Sequence, residues 1–111
     1  MDAKRFDEVV ENRIEKIKSV LKSKAGDYSR GNDRLHNFKI AATARGITPL
    51  QALDGMMLKH EVCYLDLVSG RTKPTKEFID EKMGDFINYL ILAEALLLEG
   101  LDIKENIEYN I

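Results

Sequence analysis

Three residues in the last third of the chain, Glu81, Asp85 and Asn88, sit at helical spacing inside an otherwise apolar stretch. At about 100° per residue they project within about 60° of one another. Two carboxylates one turn apart offer the oxygen ligands that a hard cation such as Mg²⁺ takes while it bridges phosphates to protein. Glu81 and Asp85 are therefore the candidate metal ligands, and the amide of Asn88 can add a ligand or orient a phosphate or a ribose. The same face continues through Leu92 and Ala95, with Met83, Phe86, Leu90 and Leu97 opposite. A stripe aligned with apolar residues is expected to be half buried, and burying such groups unpaired is costly. That marks Asp85 and Asn88 for function. Glu81 is equally well explained as an acidic residue in an early turn, favoured by the helix macrodipole.

Two further clusters offer chemistry. Lys59 and Asp66 are seven residues apart and share a helix face, with His60 and Glu61 beside Lys59. A lysine meets a phosphate as a point charge, and a histidine is a candidate acid–base group, although packing alone explains a lone histidine beside a core face. Cys63, the single cysteine, lies among apolar residues and is expected to be buried and inert. The segment KAGDYSRGNDRLHNFK is the densest polar stretch. Its Lys24, Asp27, Tyr28, Arg30, Arg34 and Asn37, with Phe38, combine cations and aromatics as a stacked base beside phosphates requires. The same residue types also make ordinary turns and caps. The spacing of Gly26 and Gly31 is not that of a P-loop.

The elements that must hold these residues are helices. Phe6, Val9, Val10, Ile14, Ile17 and Leu21 recur at three- and four-residue steps and predict a first helix from Ala3 to Leu21. Asp33 is placed to cap a second, Arg34 to Arg45, with Phe38, Ile40 and Ala41 inward and Gly46 as its stop. Thr48-Pro49 opens a third, ended by Ser69-Gly70. Thr75 caps a fourth, expected to stop at Glu99–Gly100. The short loop between the third and fourth predicts an antiparallel helical hairpin. The expectation is an all-α, four-helix single domain over residues 1–100, with 101–111 as a C-terminal tail. Apolar residues around much of helices three and four predict a homo-oligomer.

The whole chain fits that frame. Its 111 residues suit one domain, and 44% hydrophobic with 32% charged residues suits neither disorder nor a membrane span. A net charge of −2 excludes a general DNA-coating protein, which needs a basic surplus. One cysteine and an N-terminal stretch without a signal-like apolar run predict a cytoplasmic location and no membrane partner.

At these residues the chain resembles the phage-associated nucleotide modification associated domain 1 family, from about Leu21 to Leu98. The matching pattern is Lys24, Asp27-Tyr28, Asn37-Phe38, Lys59 with Asp66, and Asp85 with Asn88-Tyr89. The resemblance implies a role in phage nucleotide metabolism, hence the host cytoplasm, with these residues lining the ligand site. The last segment is also similar to all-α nucleoside triphosphate pyrophosphatases of the MazG and dUTPase type, which hold Mg²⁺ with ExxE and ExxD pairs on two antiparallel helices. Here Lys82 stands three before Asp85, and Tyr64 stands three after Glu61, so that cage is incomplete.

Two main readings remain open at this level. In one, the protein binds a nucleotide or another phosphorylated small molecule without chemistry, sequestering it in nucleotide metabolism or counter-defence. In the other it is a Mg²⁺-dependent pyrophosphohydrolase, and only then is Mg²⁺ a cofactor. A structural oligomeric adaptor is a third.

Overall fold

The computed structural model describes residues 1–23 and 31–109, with side chains as far as residue 105. Helix α1 spans Ala3–Ser23, α2 His36–Arg45 and α3 Pro49–Val68. The fourth helical rod is composite. A short α4, Lys76–Phe78, runs through a π-helical segment, Ile79–Met83, into α5, Gly84–Tyr109. The backbone stays in the right-handed helical region at Phe78, Ile79 and Gly84, so the rod is not broken at either junction. The protein is all-helical across the described residues, and none of these helices is long and apolar enough to cross a membrane.

The caps follow from the residue types. Thr48 and Gln51 make a reciprocal capping box at α3: Gln51 N donates to Thr48 Oγ1 at 3.1 Å, and Thr48 N donates to Gln51 Oε1 at 3.0 Å. Pro49 follows, where its missing N–H costs nothing. Thr75 Oγ1 accepts from Phe78 N at the head of α4. Gly46 adopts φ 67°, a left-handed stop for α2 that a residue with a Cβ resists. Asp33 acts two residues earlier than a cap. Its Oδ1 accepts from Leu35 N at 3.0 Å and its Oδ2 takes the Lys39 ammonium at 2.9 Å, so α2 begins at His36 rather than Arg34.

Phe38 and Leu53 are fully enclosed, and with Leu35, Leu92 and Leu96 they form the core where α2, α3 and α5 meet. Leu21, Tyr89, Ala93 and Ala95 pack around it. Within α2 the inward positions are Phe38 and Ala42, whereas Ile40 is exposed. The helix is too short to bury a broad face, and the register set by Phe38 and Ala42, one turn apart, turns Ile40 away. Cys63 is half buried rather than enclosed. Helix α5 does not stop at Gly100. That glycine has no left-handed φ, and the helix continues to Tyr109. A helical glycine costs only about 1 kcal/mol against alanine, too little to end a helix flanked by leucines with no proline beyond.

The first helix departs most from expectation. Its apolar stripe is present, yet no residue of α1 is buried, and Phe6, Val9, Val10 and Ile14 are all exposed. Helix α1 lies on α5 through the C-terminal part of that stripe, Ile17 and Leu21, and the positions beside it. Arg13, Lys16, Ile17 and Val20 line the α5 side, at steps of three and four residues.

Candidate functional site

Along α5, Asn88, Leu92 and Leu96 follow one another at single-turn spacing on the core-facing side. Asn88 is therefore a polar residue in a core position, only 7% exposed, and its Oδ1 accepts no hydrogen bond among the described residues. An enclosed carbonyl of this kind costs about 1–3 kcal/mol when left without a donor. Asn88 also lines a cavity of about 130 Å³ between α1, α3 and α5, with Val20, Leu21, Lys59, His60, Asp85 and Tyr89 as its other walls.

The other walls are graded in polarity. His60 is buried, its ring 5.1 Å from that of Tyr89, and its Nδ1 stands 3.8 Å from Asp85 Oδ2. That separation exceeds a hydrogen bond. Lys59 is exposed at the rim, with no carboxylate partner among the described residues. The cavity thus has polar walls, Asp85, His60 and Asn88, and a cation at its mouth. It suits a small ring bearing N–H donors that also carries negative charge.

A second cavity of about 260 Å³ shares Val20, Asp85 and Asn88 with the first and adds Arg13, Lys16, Asp80, Glu81 and Gly84. Its wall is built by the π-helical segment. A π-turn shifts carbonyls out of the regular ladder, and Arg13 reaches across from α1 to use two of them: Nη1 donates to Asp80 O at 3.1 Å and Nη2 to Ile79 O at 3.3 Å. A Cβ at position 84 would stand 2.7 Å from Arg13 Nη1, so a side chain there would push the guanidinium off these carbonyls. Beside it, Lys16 Nζ lies 2.7 Å from Asp80 Oδ1. The Lys16 hydrogen bond first, and then the charges of Lys16, Arg13 and Lys76, hold the Asp80 carboxyl below its ordinary value.

Of the residues singled out by sequence, Lys59, Asp85, Asn88 and Tyr89 come together around one cavity. Glu81 lines only the second cavity; its side chain is 68% exposed and lies 3.4 Å from Lys82. It lies inside the π-helical segment and lines the second cavity together with Asp85. Among the described residues, no three His, Cys, Asp or Glu side chains gather to hold a metal ion. Asp66 is half buried near the end of α3, where its carbonyl accepts from Ser69 and Thr72; it does not line the cavity. Arg34 donates to Leu21 O at 3.1 Å, tying the start of α2 to the end of α1. Asn37 is exposed on the first turn of α2. Phe38 belongs to the core, where its ring fills the junction of three helices and no base can reach it. Lys24, Asp27, Tyr28 and Arg30 lie outside the described residues.

Sequence reasoning missed the contribution of α1 and undervalued His60. Arg13, Lys16 and Val20 recur on one face, but that face reads as solvated flank to a strong apolar stripe. The chain matches no protein-family model, no curated protein and no solved structure.

Proposed function

We propose that this protein binds a nucleotide or a nucleotide-derived ligand in the cavity between α1, α3 and α5, holding it without cleaving it, in nucleotide metabolism or in counter-defence by sequestration. The observation that carries this reading is a buried Asn88, its Oδ1 without a hydrogen bond among the described residues, in the wall of a cavity that Asp85 and His60 also line. A nucleobase amino or imino group donates to Asn88 Oδ1, Asp85 accepts a second donor, and Tyr89 flanks the ring. Lys59 then meets a phosphate at the rim. Helices α3 and α5 form the antiparallel hairpin that frames this arrangement. In support, His60 pairs with Tyr89 and Tyr64 with Phe86, so contacts step forward on α3 as they step back on α5.

Binding without chemistry is favoured over Mg²⁺-dependent pyrophosphohydrolysis by the carboxylates. Among the described residues no three His, Cys, Asp or Glu side chains gather to hold a metal ion, and Lys82, 3.4 Å from Glu81, stands where a second acid would serve the metal. Titration calorimetry with a panel of nucleotides, with Mg²⁺ and with EDTA, tests this. The expected result is saturable binding that survives EDTA, with the ligand recovered intact. Turnover in Mg²⁺, or binding abolished by EDTA, would establish the hydrolase instead.

A homo-oligomer is part of the proposal. The chain exposes 8409 Å², against roughly 6,200 Å² for a compact monomer of its mass. The excess, roughly 2,200 Å² per chain, falls within the range that obligate partners bury. The stripe Phe6, Val9, Val10 and Ile14 on α1 supplies an apolar face for a second copy.

A further inference from the structure

Beyond the second cavity lies a third, larger trough of about 790 Å³ between α1 and the loop leading into α4. It shares Arg13, Lys16 and Asp80 with the second cavity, which in turn shares Asp85 and Asn88 with the first. The three are therefore neighbours along α1, from Asn88 at one end to a cationic trough at the other, with the Arg13 and Lys16 contacts to Ile79 and Asp80 between the second and the third. At that far end Arg5, Arg13, Lys16 and Lys76 are set against one lining carboxylate, Asp80, and Glu8, which stands 3.4 Å from Arg5 beside the trough. In a chain of net charge −2 this is a concentrated positive site. The depressed Asp80 carboxyl reports the same field.

We propose that this trough is a metal-independent subsite for a chain of phosphate groups, held directly by Lys16, Arg5 and Lys76 while Arg13 keeps its wall in place. The inference rests on the nucleotide reading for what occupies the Asn88 end, but the trough itself needs only the anion. Its chemistry differs from that of a carboxylate–Mg²⁺ cage, because the cations belong to the protein and the nearest carboxylate competes with the ligand. Asp80 occupies Lys16 in the empty site, and an incoming phosphate exchanges that pair for its own. The groups at the trough's end, Arg5 and Lys76, are exposed, so their removal leaves the core untouched.

Calorimetry in EDTA at low ionic strength tests this on the full chain, with nucleoside monophosphates, the matching triphosphates and inorganic triphosphate as probes. For the base that binds, the triphosphate is expected to bind roughly tenfold or more tighter than the monophosphate, with the advantage fading at high salt. The double variant R5A/K76A should bring triphosphate affinity down to that of the monophosphate and leave the monophosphate unchanged. D80N should tighten triphosphate binding. Equal affinity for mono- and triphosphate, or a triphosphate affinity unchanged in R5A/K76A, overturns the subsite and leaves the nucleotide site standing. Inorganic triphosphate bound by the wild type and lost in R5A/K76A, with no nucleotide preferred over it, supports the trough and removes the nucleotide reading. No binding by any probe overturns both.

Discussion

Asn88 occupies a position where a leucine would pack: one turn before Leu92, two before Leu96, and enclosed to 7% exposure. A carbonyl kept there without a donor costs stability in the empty protein. The substitution N88L, near in shape and without the amide, is expected to raise stability by about 1–2 kcal/mol, seen as a melting temperature several degrees higher. The same change should abolish nucleotide binding. A lower melting temperature would show instead that the amide supports the fold. Asp85 and Asn88 were legible in the sequence because both lie within one regular stretch of α5, where ideal helical projection holds. Glu81 lies inside the π-helical segment, which no residue type announces. His60, Arg13 and Lys16 acquire their meaning only when α1, α3 and α5 are assembled, and spacing within one helix does not carry that.

At the scale of elements, the local chemistry was readable and the packing was not. Thr48-Pro49, Thr75 and Gly46 mark their helix ends because the groups that satisfy the free backbone lie within a few residues. Gly100 misled because its effect is small beside the run of helix formers around it. The long-range tie of α2 to α5 was not visible at all. Lys39 bridges Asp33 at 2.9 Å and Glu99 at 2.8 Å, joining residues far apart in sequence. The hydrogen bonds that Lys39 donates, first to Glu99 and then to Asp33, raise its pKa, and the Lys39 hydrogen bond is the first cause of the lowered Asp33 pKa. A raised lysine contributes stability that is complete below its ordinary 10.5 and lost as pH climbs through the folded value. A lowered aspartate contributes stability that is complete above its ordinary 3.8 and lost as pH falls through the folded value. The variant K39M should therefore be less stable than the wild type by a constant amount across the neutral range. The difference should shrink below about pH 3.8 and above about pH 10.5, as read from urea midpoints. A difference that does not change with pH would assign the loss to packing of the lysine stem.

At the scale of the whole molecule, the chain is longer than a compact domain of its size. Its radius of gyration is 16.9 Å, where about 13 Å is expected for 111 residues, and it measures 54 × 31 × 24 Å. The α1 stripe is legible in sequence as amphipathic, but sequence does not say whether the chain or a partner covers it. The proposed second copy makes a specific demand. Val9→Lys with Ile14→Lys puts two charges into the shared face and should convert a dimer or higher oligomer into a monomer in light scattering and sedimentation. Helix content should be retained, since neither residue touches the core. A wild type that is itself monomeric across the micromolar range would leave the stripe to another partner and end the homo-oligomer proposal.

The π-helical segment has a consequence for chain length rather than for side-chain identity. The wide turn holds one residue more than an α-helix needs, and the carbonyls this frees are the ones α1 uses. A chain shortened by one residue within 79–83 can close that stretch as uninterrupted α-helix, and because five residues of a π-turn rotate about as far as four of an α-helix, the faces on either side keep their register. Every cap and every core leucine would still be present, and circular dichroism would report the same helix. The carbonyls that Arg13 grips would return to the regular ladder, and its guanidinium would lose both acceptors. Such a deletion is expected to yield a folded protein whose first helix is held less firmly on the last rod, seen as a lower melting temperature at unchanged helix content.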